Sequence, residues 1–518
     1  MKSTGKAACI LPHGVLFRGN IEAVIRRQLV RSGYLKAVIG LPANLFYGTG
    51  IPACILVLDK ANATVRKGVF MIDASKGFMK DGPKNRLCEQ DIHRVVDAFT
   101  RQDESDLRYA RMVPVEEIAD PKNDFNLNLP RYIDSTEPED LQDIDGHLRG
   151  GIPVRDIDDP VRLNPYWKVL PTVRAALFKN GDRPGYCELR LPIAEVKPAI
   201  FGHAEFTAFH DSATKLFVEW KKATTPLLKG FDKDGHPKQL IESIAEDLLA
   251  TFKAAPLLDA YDIYQHLMDY WAKTMQDDCY LISAEGWKLG AQPREIRQVK
   301  NKENKLVWPE THDYTNGKRR FKSDLIPASL LIDRYFATER DAIAAIETKL
   351  AAIQQQLDEK REEQSGEEGL LAEVIEGEGD KQKITAKAVK ARLKAIGSDP
   401  DFADERQALE DYSAMLDKLT DAKAQLKAAE EDWEAKLDAK YPALTEYEIK
   451  TLVVDDKWLA VLAAAVQGEL DRVSQTLTGR IRQLAERYAT PLPQLTDALA
   501  TLAHCVDEHL TSIGAVWK

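Results

Sequence analysis

Short apolar runs alternate with longer amphipathic stretches over the first hundred or so residues. Ile55-Leu56-Val57-Leu58 and Val38-Ile39-Gly40-Leu41 are continuous apolar blocks, the pattern of strands that are buried on both faces of a sheet. The alternation predicts part of an α/β sheet. Its expected strands and helices are Ala7–Leu11, Ile21–Ser32 (helix), Leu35–Leu41, Cys54–Leu58, Val69–Ile72 and Cys88–Phe99 (helix).

The pattern changes after about residue 130. Residues 131–151 are acidic and rich in turn-forming residues, with Gly150-Gly151 as a break, so we expect a connector there. Residues 152–335 show apolar positions at helical spacing, and we expect this region to be mainly helical. Its clearest amphipathic segments are Tyr166–Phe178, Gln239–Phe252 and Tyr261–Met275.

After Asp333 the helical period becomes regular. Apolar residues in steps of 3 and 4 form two seams, and these predict two long helices. The first seam is Ile343, Ile346, Leu350, Ile353 and Leu357, and the second is Leu409, Tyr412, Leu416 and Leu419. Glycines among acidic residues between Glu362 and Lys383, namely Gly366, Gly369, Gly377 and Gly379, allow the chain to turn back. We therefore predict a long antiparallel coiled coil. Pairing within the chain and docking onto a partner helix both account for these seams.

Another long helix is predicted from Leu459 to Leu484, and Pro491-Leu492-Pro493 ends it before a final helix. The fold class expected is a partial α/β sheet followed by a mainly α-helical region with the long antiparallel coiled coil. The predicted segments are 1–130 (α/β region), 131–335 (helical extension), 336–440 (coiled-coil hairpin) and 441–518 (C-terminal helical region).

Composition limits the kinds of protein that this chain can be. Of 518 residues, 44% are hydrophobic and 30% are charged, with a formal net charge of -11, so the chain does not suit a protein that grips nucleic acid over most of its surface. No apolar run approaches the roughly 18 residues of a membrane span, and no signal-peptide core is seen, which predicts a cytoplasmic protein. Six cysteines without a CxxC pair predict reduced thiols rather than disulfides or a zinc ribbon.

The segment Asn44–Lys60, NLFYGTGIPACILVLDK, is the strongest candidate for a binding site. It places the aromatic residues Phe46 and Tyr47 in a turn directly before a predicted strand. Gly48, Thr49 and Gly50 follow them, and glycine allows another group to approach the backbone closely. The sequence therefore predicts a site for a flat ligand.

Three other groups of polar residues are candidates for a phosphate contact, an acidic site or a metal site. Lys318-Arg319-Arg320-Phe321-Lys322 is the densest basic cluster, and both a contact with a phosphate backbone and a solvated loop account for it. Asp277-Asp278 is expected to remain solvated at a helix end and is given no role. His504 and His509 are five residues apart with no carboxylate and cysteine set to complete a tetrahedral site, so no metal ligand is predicted.

Several segments resemble the methylation subunit of type I restriction-modification systems, an adenine-specific DNA methyltransferase. The resemblance is carried in order along essentially the whole chain, which makes it specific. The segments are GKAACILPHGVLFRGN (Gly5–Asn20), GLPANLFYGTGIPACILVLDK (Gly40–Lys60), FMIDASKGF (Phe70–Phe78), NRLCEQDI (Asn85–Ile92), NLNLPRYID (Asn126–Asp134), LMDYWAKTMQDDCYLI (Leu267–Ile282) and LTGRIRQLAERY (Leu477–Tyr488).

The resemblance implies transfer of a methyl group from S-adenosylmethionine to the exocyclic amine of adenine. Such enzymes extrude the base from the duplex and stack it on an aromatic residue. In similar adenine methyltransferases that aromatic lies on the loop before the last strand pair, and Phe46 occupies this place, with Tyr47 as its nearest competitor. A purely structural reading, in which Phe46 closes the end of the sheet, stays open.

Two motifs of the family are missing from this sequence. The family's methyl-transfer motif is Asn or Asp followed by Pro-Pro and an aromatic residue, and its nearest match, Asn164-Pro165-Tyr166-Trp167, lacks the second proline and follows the aromatic loop instead of preceding it. Asn164 as a helix cap with Pro165 in the first turn explains this string. No Gly-rich turn for the cofactor follows an early strand. We therefore predict no catalytic, cofactor-binding or metal residue in this chain.

These gaps imply that the chain resembles the carboxyl-terminal part of a larger subunit. We expect an upstream polypeptide to carry the missing motifs, and we expect no S-adenosylmethionine binding by this chain alone. The family implies further partners, namely the specificity and restriction subunits of the same system, with DNA contacted through the assembled complex. The alternative is a non-catalytic helical assembly module left by a split or truncated methyltransferase gene.

Overall fold

The computed structural model describes residues 2–364, 369–376 and 383–513. The chain forms two compact units. The first comprises Met1–Thr224, Lys238–Thr274 and Val461–Lys518, and the second comprises Thr225–Pro237 and Met275–Ala460. Each unit is thus built from segments that are distant in the sequence. The four-segment division stays a prediction.

The strands of the described residues are mostly short, apart from those of the N-terminal sheet. In chain order they are β1 (Lys6–Pro12), β2 (Leu35–Gly40), β3 (Ala53–Asp59), β4 (Gly68–Asp73), β5 (Met79–Asp81), β6 (Lys84–Arg86), β7 (Ala110–Pro114), β8 (Ile152–Pro153), β9 (Phe178–Asn180), β10 (Tyr186–Leu189), β11 (Arg294–Ile296), β12 (Val299–Lys300), β13 (Leu306–Val307), β14 (Tyr314–Asn316), β15 (Arg319–Lys322), β16 (Ile375–Glu376) and β17 (Lys383–Ile384).

Helices dominate the chain after the first sheet. In chain order they are α1 (Asn20–Arg31), α2 (Glu89–Arg101), α3 (Val115–Ala119), α4 (Ile144–Arg149), α5 (Val154–Ile157), α6 (Asn164–Val169), α7 (Pro171–Leu177), α8 (Ile193–Phe201), α9 (Ala204–Gly230), α10 (Pro237–Phe252), α11 (Ala260–Tyr270), α12 (Gln276–Glu285), α13 (Trp287–Gly290), α14 (Ala328–Tyr335), α15 (Ala337–Glu363), α16 (Ala386–Ile396), α17 (Ala403–Ala443), α18 (Glu446–Lys450), α19 (Leu459–Arg487) and α20 (Leu492–Ser512). Among the described residues, none of these helices has the length and apolar character needed to span a membrane.

A five-stranded mixed sheet forms the N-terminal part of the first unit, in the order β1-β3-β2-β4-β7. Strand β3 is antiparallel to both β1 and β2, whereas β2 and β4 are parallel and β7 is antiparallel to β4. Strands β1, β2 and β4 therefore run in the same direction, and their carboxyl ends lie at one edge of the sheet. The predicted N-terminal α/β sheet followed by a mainly helical region is confirmed, and the sheet is mixed.

Both faces of this sheet are covered, as the continuous apolar runs predicted. All six residues of β4 are buried. Val69 and Met71 belong to the core on one face, which the segment from Ile118 to Ile133 helps to close. Phe70 and Ile72 belong to the core on the other face, where Ala98 of α2 packs. A strand buried on both sides needs apolar residues at every position, which is why its sequence shows no alternation.

Several predicted helices differ from the observed ones where a proline or a π-helical turn intervenes. The segment predicted as one helix from Tyr166 is divided by Pro171 into α6 and α7. Proline lacks an N–H and disfavours a helical conformation of the residue before it, and Leu170 has ψ 55°. A π-helical segment at Trp271–Met275 joins α11 to α12.

The acidic connector is fastened to a late helix of the same unit. The Asp140 carboxylate accepts hydrogen bonds from both Nη1 (2.8 Å) and Nη2 (2.7 Å) of Arg480, and it also pairs with Arg487. The Tyr488 hydroxyl donates to Asp156 Oδ2 over 2.8 Å. These contacts join residues more than three hundred positions apart, so residues around Asp140 are part of the folded unit.

Helices α15 and α17 of the second unit pack against each other in opposite directions. Lys436 Nζ lies 3.2 Å from Glu339 Oε1, and Lys360 Nζ lies 3.9 Å from Asp411 Oδ2, so the start of one helix meets the end of the other. Leu357 and Leu409 of the predicted seams are buried between them. The pairing of two long antiparallel helices is thus observed.

A third helix shares this core. Val389 and Ile396 of α16 pack in the same cluster as Leu357 and Leu409, so this end of the helix pair is a three-helix packing. The coiled coil therefore stays a prediction. Part of the predicted turn, residues 365–368 and 377–382 with Gly366, Gly377 and Gly379, lies outside the described residues.

Short antiparallel strands in residues 294–322 were not predicted. Strands β11, β15 and β14 form a three-stranded sheet, and β12 and β13 form a separate hairpin. One of the two interpretations of Lys318–Lys322 was a solvated loop. Instead, Arg319–Lys322 forms strand β15, which is paired on both sides. Strands of two to four residues are too short to show an apolar alternation, which is why the pattern missed them.

The expectation that Asp278 is solvated was wrong. Asp278 is 4% exposed and accepts hydrogen bonds from Lys457 Nζ at 2.7 and 2.9 Å and from Trp458 Nε1 at 2.8 Å. Lys457, itself 9% exposed, also donates to the Leu325 carbonyl oxygen over 2.9 Å. The carboxylate is buried because its partner arrives from a segment 179 residues away.

Candidate functional site

The carboxyl ends of three strands bring a polar edge together in the first unit. In one row of the sheet Leu11 pairs with Cys54, Cys54 with Gly40, and Gly40 with Asp73. Just beyond this row the His13 N–H donates to the Pro52 carbonyl oxygen over 2.9 Å. In open α/β sheets, ligands bind outside the carboxyl ends of the strands. The loop between β2 and β3 lies at this edge.

The two aromatic residues of that loop are exposed to different extents. Leu41 is 5% exposed, and Leu45 packs against the core cluster under the sheet. Phe46 is 37% exposed and Tyr47 is 94% exposed. Leu45 therefore closes the core at this point, and the next two side chains present aromatic surface to solvent.

The turn of the loop requires backbone conformations that few residues adopt. Asn44 has φ 55° and Gly48 has φ 79°, both in the left-handed region that asparagine and glycine tolerate best. The space beside Gly48 is open, because a Cβ there would meet nothing within 4 Å. Beside Gly50 a Cβ would lie 3.0 Å from Asn44 Oδ1. The Thr49 hydroxyl accepts a hydrogen bond from the Ile51 N–H over 3.1 Å, which tightens the end of the turn.

The β5–β6 hairpin holds this loop from the side. Lys84 Nζ donates to the carbonyl oxygens of Phe46 (2.8 Å) and Thr49 (3.1 Å). Asn85 is 7% exposed; its side-chain amide donates to the Ala43 carbonyl oxygen over 2.7 Å. Its backbone N–H donates to the Asn44 carbonyl oxygen over 3.0 Å.

Sequence reasoning assigned no role to Lys84 or Asn85. The sequence signal in this region is the segment Asn85–Ile92, which carries part of the family resemblance but does not indicate what Asn85 contacts. A single sequence cannot show which backbone carbonyls a side chain reaches. The structure identifies both residues as positioning residues for the loop.

Asp73 and His13 lie at the same edge. The Asp73 carboxylate is 9% exposed; it accepts hydrogen bonds from the Ser135 hydroxyl (2.7 Å) and the Ser75 N–H (3.1 Å). Burial lowers the pKa of His13, and the Asp73 charge offsets this only in part, which favours the neutral ring at pH 7. His13 Nε2 is buried without a hydrogen-bond partner among the described residues. The edge thus holds one carboxylate with its donors and one neutral imidazole.

A polar cavity of about 620 Å³ opens next to Asp73. Its wall includes Arg94, Arg108 and Arg162, together with Asp91 and Asp106. Arg94 stacks on the Tyr109 ring at 4.5 Å and lies 3.8 Å from Asp106, so part of its charge is already compensated. This cavity is lined by alternating charges, unlike the apolar surface on which an aromatic base stacks.

The residues described at this edge do not form a cradle for S-adenosylmethionine. A Cβ at Gly40, which ends β2, would lie 2.3 Å from Leu129 Cδ1, and one at Gly77, beyond β4, would lie 2.5 Å from Asp91 Oδ1. Both glycine positions are thus filled by side chains of the chain itself. Together with the lack of a Gly-rich turn in the sequence, this leaves no fit for the cofactor here.

The Asn164-Pro165-Tyr166-Trp167 string takes part in folding. It forms the first turn of α6, with Pro165 in the position that tolerates the missing N–H. Asn164 is the first residue of the helix and Leu163 precedes it as the cap, so the predicted capping side chain is displaced by one residue. Trp167 is 6% exposed, and its Nε1 donates to the Ile157 carbonyl oxygen over 2.6 Å.

Strand β1 is an edge strand with an exposed apolar neighbourhood. It pairs with β3 on one side only, and Ile10 is 58% exposed. Helix α1 follows it and exposes Ile21 (74%), Val24 (61%) and Ile25 (53%), which share one helical face. Within the described residues, β1 thus leaves one edge without a neighbouring strand, beside an exposed apolar face of α1.

Helix α20 exposes a second apolar stripe. Leu492, Leu495, Leu499, Leu502 and Val506 follow one another in steps of 3 and 4 and are between 52% and 68% exposed. This spacing is that of a helix seam that packs against other helices. None of the residues of α20 is buried, so no other part of the chain that the structure describes covers its apolar stripe.

The N-terminal region of the chain is similar to known proteins. Residues 1–141 match the model of a family described as N-6 DNA Methylase. The chain is 36% identical over 144 residues to the type I restriction enzyme MjaVII methylase subunit of Methanocaldococcus jannaschii, covering 27% of this chain and 24% of the relative. It is 34% identical over 140 residues to the MpnII methylase subunit of Mycoplasma pneumoniae, covering 27% and 25%.

Among solved structures, the type I restriction-modification system methyltransferase subunit of Streptococcus thermophilus is similar to this chain, with 42% sequence identity and a TM-score of 0.23. The match covers 25% of this chain and 27% of the other chain. The chain thus spans about a quarter of the length of the curated relatives it matches. The matched family model covers β1 to β7, including the aromatic loop and the hairpin that holds it. Residues 1–141 are therefore similar to the N-6 DNA Methylase family model and to type I restriction enzyme methylase subunits.

Proposed function

We propose that this chain is the carboxyl-terminal part of a type I restriction-modification methyltransferase that methylates the exocyclic amine of adenine in DNA. Its own contribution to the chemistry is the wall on which the extruded adenine stacks. Phe46 is the stacking residue, Tyr47 is the nearest competitor, and Gly48, Thr49 and Gly50 form the loop around the base. The observation that carries this proposal is the exposed Phe46 side chain on a loop fixed through its backbone.

A fixed aromatic face has an energetic purpose in such a reaction. Extruding a base from the duplex costs a few kcal/mol, least for a mismatched base. Stacking on an aromatic side chain returns about 1–3 kcal/mol per base. Because Lys84 and Asn85 already hold the loop, little conformational entropy is lost when the base arrives.

S-adenosylmethionine supplies the methyl group in this family, and other residues than those of this chain hold it. The chain lacks the Gly-rich turn and the Asn-Pro-Pro-aromatic motif, so it is inactive alone. Residues outside this sequence carry both motifs and pack on the open edge of β1 and the apolar face of α1. Support comes from the exposure of Ile10 and Ile21 on these two elements.

Helical surfaces of the chain dock the other subunits of the system. Helix α20 presents the apolar stripe from Leu492 to Val506, which suits packing against a helix of the specificity subunit. The antiparallel helices α15 and α17, in the manner of a coiled coil, form a further assembly surface. The restriction subunit joins the same complex, and DNA is bound through the assembled enzyme.

A second reading remains because the matched part of the chain is short. A non-catalytic helical assembly module, left by a split or truncated gene, would bind other subunits through the predicted coiled coil of α15 and α17 and would handle neither base nor cofactor. The two readings differ in what Phe46 does. Only the methyltransferase reading requires its side chain for contact with an extruded adenine.

The test uses a duplex with 2-aminopurine at the target adenine, because the fluorescence of this base rises when it leaves the stack and falls when it stacks on an aromatic. In the enzyme assembled with its upstream and specificity polypeptides, Phe46→Ala should weaken binding of the extruded base about 5-fold to 100-fold, as expected for a stacking energy of about 1–3 kcal/mol. Phe46→Tyr should retain most of it. Binding of S-adenosylmethionine should be unchanged in both variants.

Phe201→Ala is the matched control, because Phe201 is 39% exposed in the same unit and lies on α8. Equal binding of the extruded base by Phe46→Ala and Phe201→Ala would exclude Phe46 as the stacking residue. Loss of stacking in Tyr47→Ala with none in Phe46→Ala would transfer the role to Tyr47.

A further inference from the structure

Residues 294–322 of the second unit are basic in a chain that is acidic overall. They include nine Lys and Arg but only four Asp and Glu, whereas the whole chain has a formal net charge of -11. The segment contains the small β11-β15-β14 sheet and the β12–β13 hairpin. Positive charge is thus concentrated on one compact antiparallel structure.

The strand register brings two basic groups to the same end of this structure. Ile296, the last residue of β11, pairs with Arg320, and Arg319 pairs with Asn316 next to the β14–β15 turn. Arg297 directly follows Ile296 and leads into the β12–β13 hairpin, which carries Lys300. The turn between β14 and β15 and the start of the second hairpin therefore share one end of the sheet.

Three of the cations are already neutralised, and one of them is Lys305, whose Nζ lies 3.0 Å from Glu303 Oε2. Arg294 lies 2.6 Å from both Glu310 and Asp324, and Lys322 Nζ lies 2.8 Å from Glu310. The Arg294 and Lys322 pairs connect the sheet to Glu310, which follows β13, and to Asp324, which follows β15. Two further carboxylates, those of Glu434 and Asp438, accept hydrogen bonds from residues of β14.

Five other cations of the segment have no ion pair among the described residues, and all five are exposed. They are Arg297, Lys300, Lys302, Lys318 and Arg319. Five exposed, uncompensated cations on short strands and their turns repel one another. Such an arrangement is stabilised when an anion with regularly spaced charges binds to it.

The base of this surface is rigid. Tyr314 stacks on Tyr441 of α17 with ring centroids 5.6 Å apart, and its hydroxyl donates to Asp438 over 3.0 Å. The Thr315 hydroxyl donates to Glu434 over 2.6 Å. The Arg320 guanidinium lies 4.2 Å from the centre of the Trp308 ring. A sheet fixed in this way holds its charged residues in place before a ligand binds.

We propose that Arg297, Lys300, Lys302, Lys318 and Arg319 form a binding surface for the phosphate backbone of duplex DNA, called here the basic hairpin surface. It contacts phosphates, which carry no sequence information, so binding does not depend on the base sequence. The proposal does not depend on Phe46 or on methyl transfer. It adds a sequence-independent contact that would hold DNA during the reaction proposed above.

The test measures binding of the full chain to a 30-base-pair duplex composed only of G·C pairs, which offers no adenine to stack on Phe46. Each phosphate contact contributes about 0.9 to the slope of the logarithm of the binding constant against the logarithm of the salt concentration. Replacing Lys300, Lys302, Lys318 and Arg319 together by Gln should reduce this slope by about 2 to 4 and weaken binding about tenfold or more at low salt.

The matched control replaces four lysines of the same unit, Lys349, Lys390, Lys418 and Lys423, by Gln. These lysines are exposed and change the net charge equally. The control should keep the wild-type slope. Both variants should unfold at the wild-type temperature in circular dichroism, which separates loss of binding from loss of fold.

Three outcomes would overturn the proposal. The first is an equal slope in the two quadruple variants. The second is no binding of the G·C duplex by the wild-type chain at low salt. The third is binding to phosphatidylserine vesicles that the hairpin substitutions abolish while duplex binding stays unchanged, since this would assign the surface to an anionic membrane. Failure of the Phe46 experiment would leave all three measurements unaffected.

Discussion

Lys84 Nζ donates a hydrogen bond to the carbonyl oxygen of Phe46 over 2.8 Å. A side chain of the β5–β6 hairpin thereby fixes the backbone of the residue proposed to stack the target base. The contact leaves the aromatic ring free, because it uses only the main chain. The position of the ring is thus set by residues that never touch the base.

Loss of this support should weaken base binding while the fold is retained. Lys84→Met removes two hydrogen bonds to the loop, and we expect the dissociation constant for a duplex with extruded 2-aminopurine to rise about 3-fold to 10-fold, in line with about 1 kcal/mol. Lys80→Met, at an exposed lysine of the same hairpin, is the control. Equal dissociation constants in the two variants would show that Lys84 does not position the loop.

Asp140→Asn should destabilise the first unit around α19. The Arg480 and Arg487 guanidinium groups lower the pKa of Asp140 through hydrogen bonds, and this carboxylate is 28% exposed. Charged bonds of this kind contribute about 1–3 kcal/mol. We expect faster hydrogen exchange of the amides around Arg480 in the variant at pH 7.

The pH dependence of this effect has a definite sign. A carboxylate whose pKa is lowered by folding stabilises the fold above its unfolded pKa of about 4, and this contribution disappears as the pH falls through the folded value. The difference between wild type and Asp140→Asn should therefore be complete at pH 7 and shrink below about pH 4. Glu139→Gln, at an exposed neighbouring carboxylate, should behave as wild type. A difference that persists unchanged in acid would argue against the ion pair as its cause.

Lys457→Met should be strongly destabilising in the second unit. It leaves the Asp278 carboxylate buried without its cation, a change that costs about 3–5 kcal/mol. Lys427→Met, at a lysine that is 76% exposed and 3.8 Å from Glu431, should cost less than about 0.5 kcal/mol. Chemical denaturation of both variants compares the two. If adding Asp278→Leu to Lys457→Met restored no stability, the loss would not come from the stranded charge.

Charged residues in the α20 stripe should prevent docking of the specificity subunit. Leu499→Glu with Leu502→Glu places two carboxylates on a face that is 64% to 68% exposed in the free chain, so the chain itself should stay folded. Co-purification with the specificity subunit should be lost, because burying unpaired charge in an interface is costly. Leu107→Glu, at a residue that is 59% exposed, is the control. Retained co-purification of the α20 variant would show that another surface binds this subunit.

The N-terminal sheet could be predicted because its strands are buried on both faces. Val69–Ile72 was expected as a strand and is the centre of β4, Gly68–Asp73. The helix expected at Ile21–Ser32 is α1, Asn20–Arg31. Residues whose environment is apolar on every side must be apolar in sequence, so the pattern alone reveals them.

Contacts between distant segments could not be predicted in this way. Asp140 lies in a segment that looked like a solvated connector, yet its partner Arg480 comes 340 residues later. Asp278 was also expected to be exposed to solvent, yet its partner Lys457 comes 179 residues later. In both cases the carboxylate alone gives no sign of the cation that the fold brings to it.

The candidate site was predictable only in its chemistry. The sequence located Phe46 and Tyr47 in a Gly-rich turn, since aromatic and glycine residues are recognisable by type. The turn in question contains Gly48 and Gly50 and is distinct from the missing Gly-rich cofactor turn. The sequence gave no sign that Leu45 closes the core or that Asn85 holds the turn, because both facts depend on distances between side chains and backbone.

Transfer of tritiated methyl groups from S-adenosylmethionine to adenine in DNA tests the central claim most directly. The account predicts no transfer by this chain alone and measurable transfer once it is assembled with a polypeptide that carries the Gly-rich turn and the Asn-Pro-Pro-aromatic motif and with the specificity subunit. In that assembly, Phe46→Ala should lower kcat/KM about 5-fold to 100-fold, and Phe201→Ala should leave it unchanged. Transfer by the isolated chain, or equal kcat/KM for the Phe46→Ala and Phe201→Ala assemblies, would contradict it.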